Sequence, residues 1–122
     1  MHRIAIAPMI DVSTIHYRFF TRLLTRCCTI YTPMTHCNAV TLNPKGAEHI
    51  IKFNPIEHPV VIQLGGNDPK QLAEAARLCE IMGYDEVNLN VGCPSSRVQA
   101  GQFGACLMKD PYLVGNIMKE MR

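Results

Sequence analysis

The chain has 122 residues, of which 48% are apolar and only 18% charged, enough for one small domain with a modest core. Its formal net charge of +2, with five histidines counted as neutral, is too small to announce a nucleic-acid partner and does not exclude one. Pro8 interrupts the opening apolar run and Asp11 closes it, which argues against a cleavable signal; no stretch approaches the roughly 18 apolar residues of a membrane span. The expectation is a soluble, cytoplasmic chain with no membrane association.

In chain order the residues divide into repeats of one kind. "RIAIAPM" (3–9) reads as a strand and leads through "DVST" into a helix whose apolar face is Ile15, Phe19, Leu23 and Leu24, at helical spacing. "TIYTPM" (29–34) is a second strand, followed by a loop that ends in a short helical piece around "GAEHII" (46–51). "VVIQLGG" (60–66) is a third. In the helix that follows it, Asp68 caps, Pro69 fits the first turn and Gly83 stops the helix, with a stripe of Leu72, Ala75, Ala76, Cys79 and Met82. "EVNLNVG" (86–92) is the fourth strand. After a long loop, Asp110 and Pro111 repeat the Asp-Pro start, and the last helix carries Leu113, Val114, Ile117, Met118 and Met121 on its stripe.

Four βα units in a row predict an α/β fold with a parallel sheet and right-handed crossovers. Near-continuous apolar strands such as "IAIA" (4–7) and "VVI" (60–62) suit a sheet covered on both faces. Two architectures satisfy this: an open doubly wound sheet, or a (β/α)₈ TIM barrel, of which four units are half. The chain stops inside a helix at Arg122 with no closing strand, so a piece of a longer protein is expected. No linker, repeat array or low-complexity stretch marks a second domain.

The six cysteines, Cys27, Cys28, Cys37, Cys79, Cys93 and Cys106, include no C-x-x-C and no paired His/Cys knuckle. Neither a disulfide scaffold nor a structural metal is expected. Most should behave as small buried hydrophobes, Cys79 most clearly, since it falls on a helical stripe.

Ligands bind at the carboxyl ends of the strands in both architectures, and there the sequence collects Met9, Gln63, Asn90 and Cys93. In "EVNLNVG", Val87, Leu89 and Val91 face one way and Asn88 and Asn90 the other, toward the interior of a barrel. Asn90 at a strand end is either a turn-former or a ligand contact. Gln63 is an amide inside an apolar strand; if buried it needs a partner, which a ligand could supply. The 92–109 loop is long for a βα connection, as loops that bind or cover ligands are. Its glycines read as flexibility, because "GQFG" lacks the Lys-Ser/Thr of a phosphate-binding P-loop. Cys93 stands between Gly92 and Pro94, which fix the turn, and is either an incidental thiol or a reactive one: a proton donor when neutral, a nucleophile when ionised. No base stands beside it in sequence, and a histidine partner could be His2, His16, His36, His49 or His58, or lie beyond position 122.

"APM" (7–9), "YTPM" (31–34), "HPVVIQLGGNDP" (58–69) and above all "GYDEVNLNVGCPSSRVQAGQFGACLM" (83–108) resemble the tRNA-dihydrouridine synthases, specifically their bacterial A subfamily. The similarity spans essentially the whole chain, and the last run is the specific part of it. The resemblance implies a flavin enzyme with a TIM-barrel domain followed by a small helical domain, reducing D-loop uridine in tRNA to 5,6-dihydrouridine. Residues 1–122 would be the amino-terminal half of that barrel. It further implies FMN as cofactor, NADPH as electron donor and tRNA as partner, with no metal and no obligate protein partner.

Taken residue by residue, Pro8, Met9 and Ile10 match the segment that lies along the FMN ring, with Ile10 replacing the more usual leucine. Gln63 matches a glutamine that hydrogen-bonds the flavin, Asn90 an asparagine that contacts the tRNA at the target uridine, and Cys93 the cysteine that donates a proton. Side chains cannot deliver hydride, so reduced FMN would give it to uracil C6, and the carbanion or enolate left at C5 would take a proton from Cys93. Two departures stand out. Pro33 sits where the family commonly has Glu, and "THCNAVTLNP" (35–44) differs from the usual "TTGA" continuation. The family's lysine, histidine and FMN phosphate loops belong to later strands. Two other readings stay open: a truncated, non-catalytic fragment or relic of such an enzyme, and another flavin-dependent TIM-barrel oxidoreductase acting on a pyrimidine.

Overall fold

The computed structural model describes residues 4–122; His2 and Arg3, the first residue of the expected opening strand, lie outside them. Among the described residues, five short strands form one all-parallel sheet: β1 (Ala5–Ile6), β2 (Thr29–Tyr31), β3 (Thr35–His36), β4 (Val60–Gly65) and β5 (Glu86–Leu89). β1 pairs with β2, β2 and β3 both pair with β4, and β5 lies on the other edge of β4.

The second expected strand is therefore a single strand broken in two. Tyr31 pairs with Val61 and Thr35 with Leu64, so four steps on one strand meet three on the other, and one extra residue is absorbed as a bulge. Pro33, which has no N–H to give a ladder, sits at the break. The Thr32 hydroxyl fills the gap by accepting the Gln63 N–H at 3.3 Å. With β2 and β3 counted as one, strand order follows chain order without reversal. That is the progression of consecutive units of a (β/α)₈ barrel, whereas a doubly wound sheet reverses at its switch point.

Residues 37–51, expected as a loop and one short helix, form two helices, α2 (Cys37–Thr41) and α3 (Pro44–Ile51). His36 Nδ1 caps the first by accepting the Asn38 N–H at 3.2 Å, and Asn43 Oδ1 caps the second by accepting from Gly46 at 3.0 Å. A histidine cap is outside the usual Ser/Thr/Asp/Asn set, which is why the sequence hid α2. Helix α4 (Pro69–Ile81) runs as expected, with Asp68 Oδ1 accepting the Gln71 N–H at 2.8 Å. Leu72, Ala75, Ala76 and Cys79 are buried, while Met82, at the cap, is exposed. Helix α6 (Pro111–Met121) buries Ile117 and leaves Met118 exposed. The core lies between these helices and one face of the sheet, where Val60, Ile62 and Leu64 meet Leu72, Ala75 and Cys79. Burial pushes the Cys79 thiol up to about 12, as an inert core thiol requires. Of the six cysteines, Cys28, Cys37 and Cys79 are buried, so half rather than most are core residues.

Helix α1 (Ile15–Leu24) corrects the sequence reading. Its expected apolar face is turned outward, with Leu23 and Leu24 at 61% and 72% exposure, while Arg18, Thr21 and Arg22 are buried. The reason is a fully buried ion pair. Arg18 Nε donates to Glu57 Oε2 at 2.6 Å, with neither side chain exposed, and its Nη1 and Nη2 donate to the carbonyls of Ser13 (2.7 Å) and Lys52 (2.8 Å). Arg22 reaches the Glu57 and Pro59 carbonyls from the next turn. Glu57 closes a 3₁₀ turn (Pro55–Glu57), where its Oε1 accepts the Asn54 N–H at 2.7 Å. These guanidinium bonds select the covered face of α1, and the apolar row is left on the other side.

Candidate active site

The carboxyl ends of β4 and β5 carry a chain of three amides. Register sets Gln63 opposite Asn88, and both project away from the helix-covered face, as the period-2 alternation requires. Gln63 Nε2 donates to Asn88 Oδ1 at 2.8 Å, and Asn90 Nδ2 donates to Gln63 Oε1 at 2.9 Å. Gln63, only 9% exposed, thus finds its partners within the protein. Each of its polar atoms retains capacity, one N–H on Nε2 and one lone pair on Oε1.

Asn90 then builds the turn that presents Cys93. Its Oδ1 accepts the N–H groups of Gly92 (3.1 Å) and Cys93 (2.9 Å), so the turn-forming role is real. One Nδ2 hydrogen remains for anything bound above. The expectation that Gly92 fixes this turn is corrected: a Cβ there would meet nothing within 4 Å, and its φ is not left-handed. The Asn90 side chain does the fixing.

The 92–109 loop is more ordered than its glycines suggested. It contains α5 (Ser96–Ala100) and a 3₁₀ turn (Gly104–Lys109), and it folds back so that the Ala105 N–H donates to the Cys93 carbonyl at 3.0 Å. Gly104 makes the fold-back possible, for at φ +60° an added Cβ would sit 2.4 Å from Val98 Cγ1 and 2.7 Å from the Cys93 oxygen. Phe103 is buried and lies over Gly65, where a Cβ would come within 2.8 Å of its ring. Asn67 Nδ2 ties the loop down through the Gly101 and Gln102 carbonyls, both at 3.3 Å. The sequence reading missed Asn67 and Phe103; it placed Asn88 on the same face as Asn90 but not its bond to Gln63.

Among the described residues, the Cys93 sulfur has one side-chain hydrogen-bond partner, the Ser95 hydroxyl at 3.5 Å. Hydrogen bonds from the Ser95 hydroxyl and N–H hold the thiol below its ordinary range. None of the histidines among the described residues bonds to it. His58 pairs with Asp85 (2.7 Å) at the opposite ends of the strands. His36, at the carboxyl end of β3, is pushed below the ordinary imidazole range by burial and by the nearby Arg97 charge; it packs edge-on against Phe103, with ring centroids 5.0 Å apart.

At the end of β1, residues 8–10 lead into a tight turn held by Ser13. Its hydroxyl accepts the Met9 N–H at 2.9 Å and donates to the Ala7 carbonyl at 3.2 Å. Ile10 is 55% exposed there, with Pro8 and Met9 partly covered. No group of three or more His, Cys, Asp or Glu side chains that could hold a metal occurs among the described residues. No helix among them is long and apolar enough to cross a membrane.

Comparison with known proteins adds the family. The model of the family described as Dihydrouridine synthase (Dus) matches residues 5–122. A protein of Xanthomonas campestris pv. campestris named tRNA-dihydrouridine(20/20a) synthase is 50% identical over 119 residues, covering 98% of this chain and 35% of the relative. Proteins of the same name from Salmonella typhi (51% identical over 121 residues, 99% and 36% covered) and Escherichia coli strain K12 (50% over 120 residues, 98% and 34%) are similar to the same extent. The chain thus spans about a third of the length of the curated relatives it matches. Because the family model matches residues 5–122, all but the start of the sequence, this chain belongs to the dihydrouridine synthase family.

Proposed function

We propose that this chain is the amino-terminal part of an FMN-dependent enzyme that reduces D-loop uridine in tRNA to 5,6-dihydrouridine, with Cys93 as the proton donor to C5. The observation that carries the reading is the hydrogen-bonded run from Gln63 through Asn90 to the Cys93 N–H, which ties one candidate residue of each kind to a single rigid rim. The residues also fit the cofactor. A flavin is a flat apolar ring with a polar edge, and this rim offers the apolar Pro8–Met9–Ile10 segment and, in Gln63, an amide with a donor and an acceptor to spare. Bound FMN would supply the hydride that uracil C6 requires, with NADPH as the source of electrons.

The protein's own residues do the rest. Asn90 uses its remaining N–H toward the target base while its Oδ1 keeps Cys93 in place. Cys93 meets the developing charge at C5 as a neutral acid, and among the described residues no histidine hydrogen-bonds to its sulfur.

The test is a hybrid in which residues 4–122 replace the matching third of the Escherichia coli strain K12 relative. It should purify yellow and convert unmodified tRNA to its dihydrouridine form with NADPH. A folded hybrid that holds flavin yet forms none would refute the reading, and reduction of free uracil in place of tRNA would favour the small-pyrimidine alternative.

Within the hybrid, Gln63→Leu separates cofactor binding from chemistry. The substitution strips partners from Asn88 and Asn90 and removes the amide from the ring edge, at about 1–3 kcal/mol for each polar group left unpaired. Flavin retention should weaken by roughly tenfold or its reduction kinetics should change. Unaltered affinity, absorbance and reduction rate would assign Gln63 to the amide chain alone.

A further inference from the structure

We infer that Ser95 is a positioning residue for the Cys93 sulfur, its hydroxyl aiming the thiol before proton transfer and donating to the thiolate after it. The inference rests on the acid role proposed for Cys93. Ser95 Oγ lies 3.5 Å from Cys93 Sγ and also accepts the Val98 N–H at 3.4 Å, as the N-cap of α5.

The two bonds are compatible because they use different parts of one hydroxyl. A cap consumes a lone pair and fixes the oxygen, leaving the hydroxyl hydrogen free to turn about the Cβ–Oγ bond. While Cys93 is neutral and nothing is bound, its S–H donates to the second lone pair; over a bound uracil it turns about the Cβ–Sγ bond toward C5. When the S–H bond breaks and the proton forms the C5–H bond of the uracil, the electron pair stays on sulfur as thiolate. The Ser95 O–H then rotates to donate to that charge, with the Val98 bond undisturbed. A hydrogen bond to the charged form favours it, in the direction already found for this thiol. The other titratable groups on the elements packed around the sulfur are Arg97 on α5, Cys106 and Lys109 in the 3₁₀ turn, and His36 on β3; none hydrogen-bonds to it. Among the described residues, Ser95 is thus the one side chain that hydrogen-bonds to the sulfur and can answer the change of charge directly.

The experiment compares Ser95→Gly and Ser95→Thr in the hybrid. Glycine caps a helix nearly as well as serine, so a purely structural Ser95 predicts little effect on Cys93. We expect Ser95→Gly to move the pH profile of Cys93 alkylation by iodoacetamide, read on the Cys93 peptide by mass spectrometry, to higher pH. Single-turnover dihydrouridine formation with prereduced protein should fall roughly tenfold, the scale of one lost hydrogen bond to a charged group, with flavin content unchanged. Ser95→Thr, which returns the hydroxyl, should recover most of both. A Ser95→Gly profile coincident with the parent, or a threonine that restores nothing, overturns the inference. A Cys93→Ala hybrid with undiminished dihydrouridine formation would instead remove the acid role itself, so the two failures are distinguishable.

Discussion

Cys93→Ala in the full-length hybrid is expected to lower single-turnover dihydrouridine formation by about 10²-fold or more, the scale for losing a positioned acid. Flavin binding and flavin reduction by the nicotinamide donor should stay largely intact, because the cofactor contacts proposed at residues 8–10, in the turn after β1, and at Gln63, on β4, do not involve the Cys93 side chain. Cys106→Ala is the control. The loop folds back, with the Ala105 N–H on the Cys93 carbonyl, so Cys106 comes closer to the rim than its place in the sequence suggests. It nevertheless belongs to the 3₁₀ turn, its N–H bonded to Phe103 O at 3.3 Å, whereas the backbone of Cys93 is fixed by Asn90 at the end of β5. Proton transfer demands that fixed placement, and Cys106→Ala should slow the reaction far less. If the Cys106 variant were the deficient one and the Cys93 variant kept near-normal rates, the assignment would have to be reversed.

The second large effect is one of stability. Arg18→Met leaves Glu57 as an uncompensated charge in a fully buried site and should destabilise the hybrid by about 3–5 kcal/mol in urea unfolding. The double variant Arg18→Met with Glu57→Leu should recover much of that loss, since the penalty comes from the orphaned charge more than from the missing attraction. The single variant should also loosen its flavin. Arg18 holds the Ser13 carbonyl, and Ser13 holds the Met9 N–H and the Ala7 carbonyl, so the segment proposed to lie along the ring loses its anchor. A single variant within about 1 kcal/mol of the parent, or a double variant no better than the single, would show that water or another group compensates Glu57.

The sequence alone determined the four βα units and the rim on which the candidate residues stand, because both are written in local patterns. Helical spacing in 72–79 marked the buried stripe of α4, the repeated Asp-Pro starts marked two helix caps, and period-2 alternation put Asn88 and Asn90 on one face. Alternation names a face and not a neighbour. That Gln63 lies opposite Asn88 and bonds Asn90 depends on the register of β4 against β5, which no residue in either strand declares by itself. The same limit hid the bulge: Pro33 announced a weak point, but only the pairing with β4 revealed an extra residue absorbed there. Helix α1 gives the sharpest contrast. Its apolar spacing pointed to one face, and the tertiary structure covered the other, because Glu57, far along the chain, offers Arg18 a buried partner that outweighs the pattern. The 92–109 loop follows the same logic. Its composition allowed flexibility, whereas the burial of Phe103 against Gly65 and the bonds from Asn67 hold it still, and these contacts exist only once β4 and β5 lie side by side.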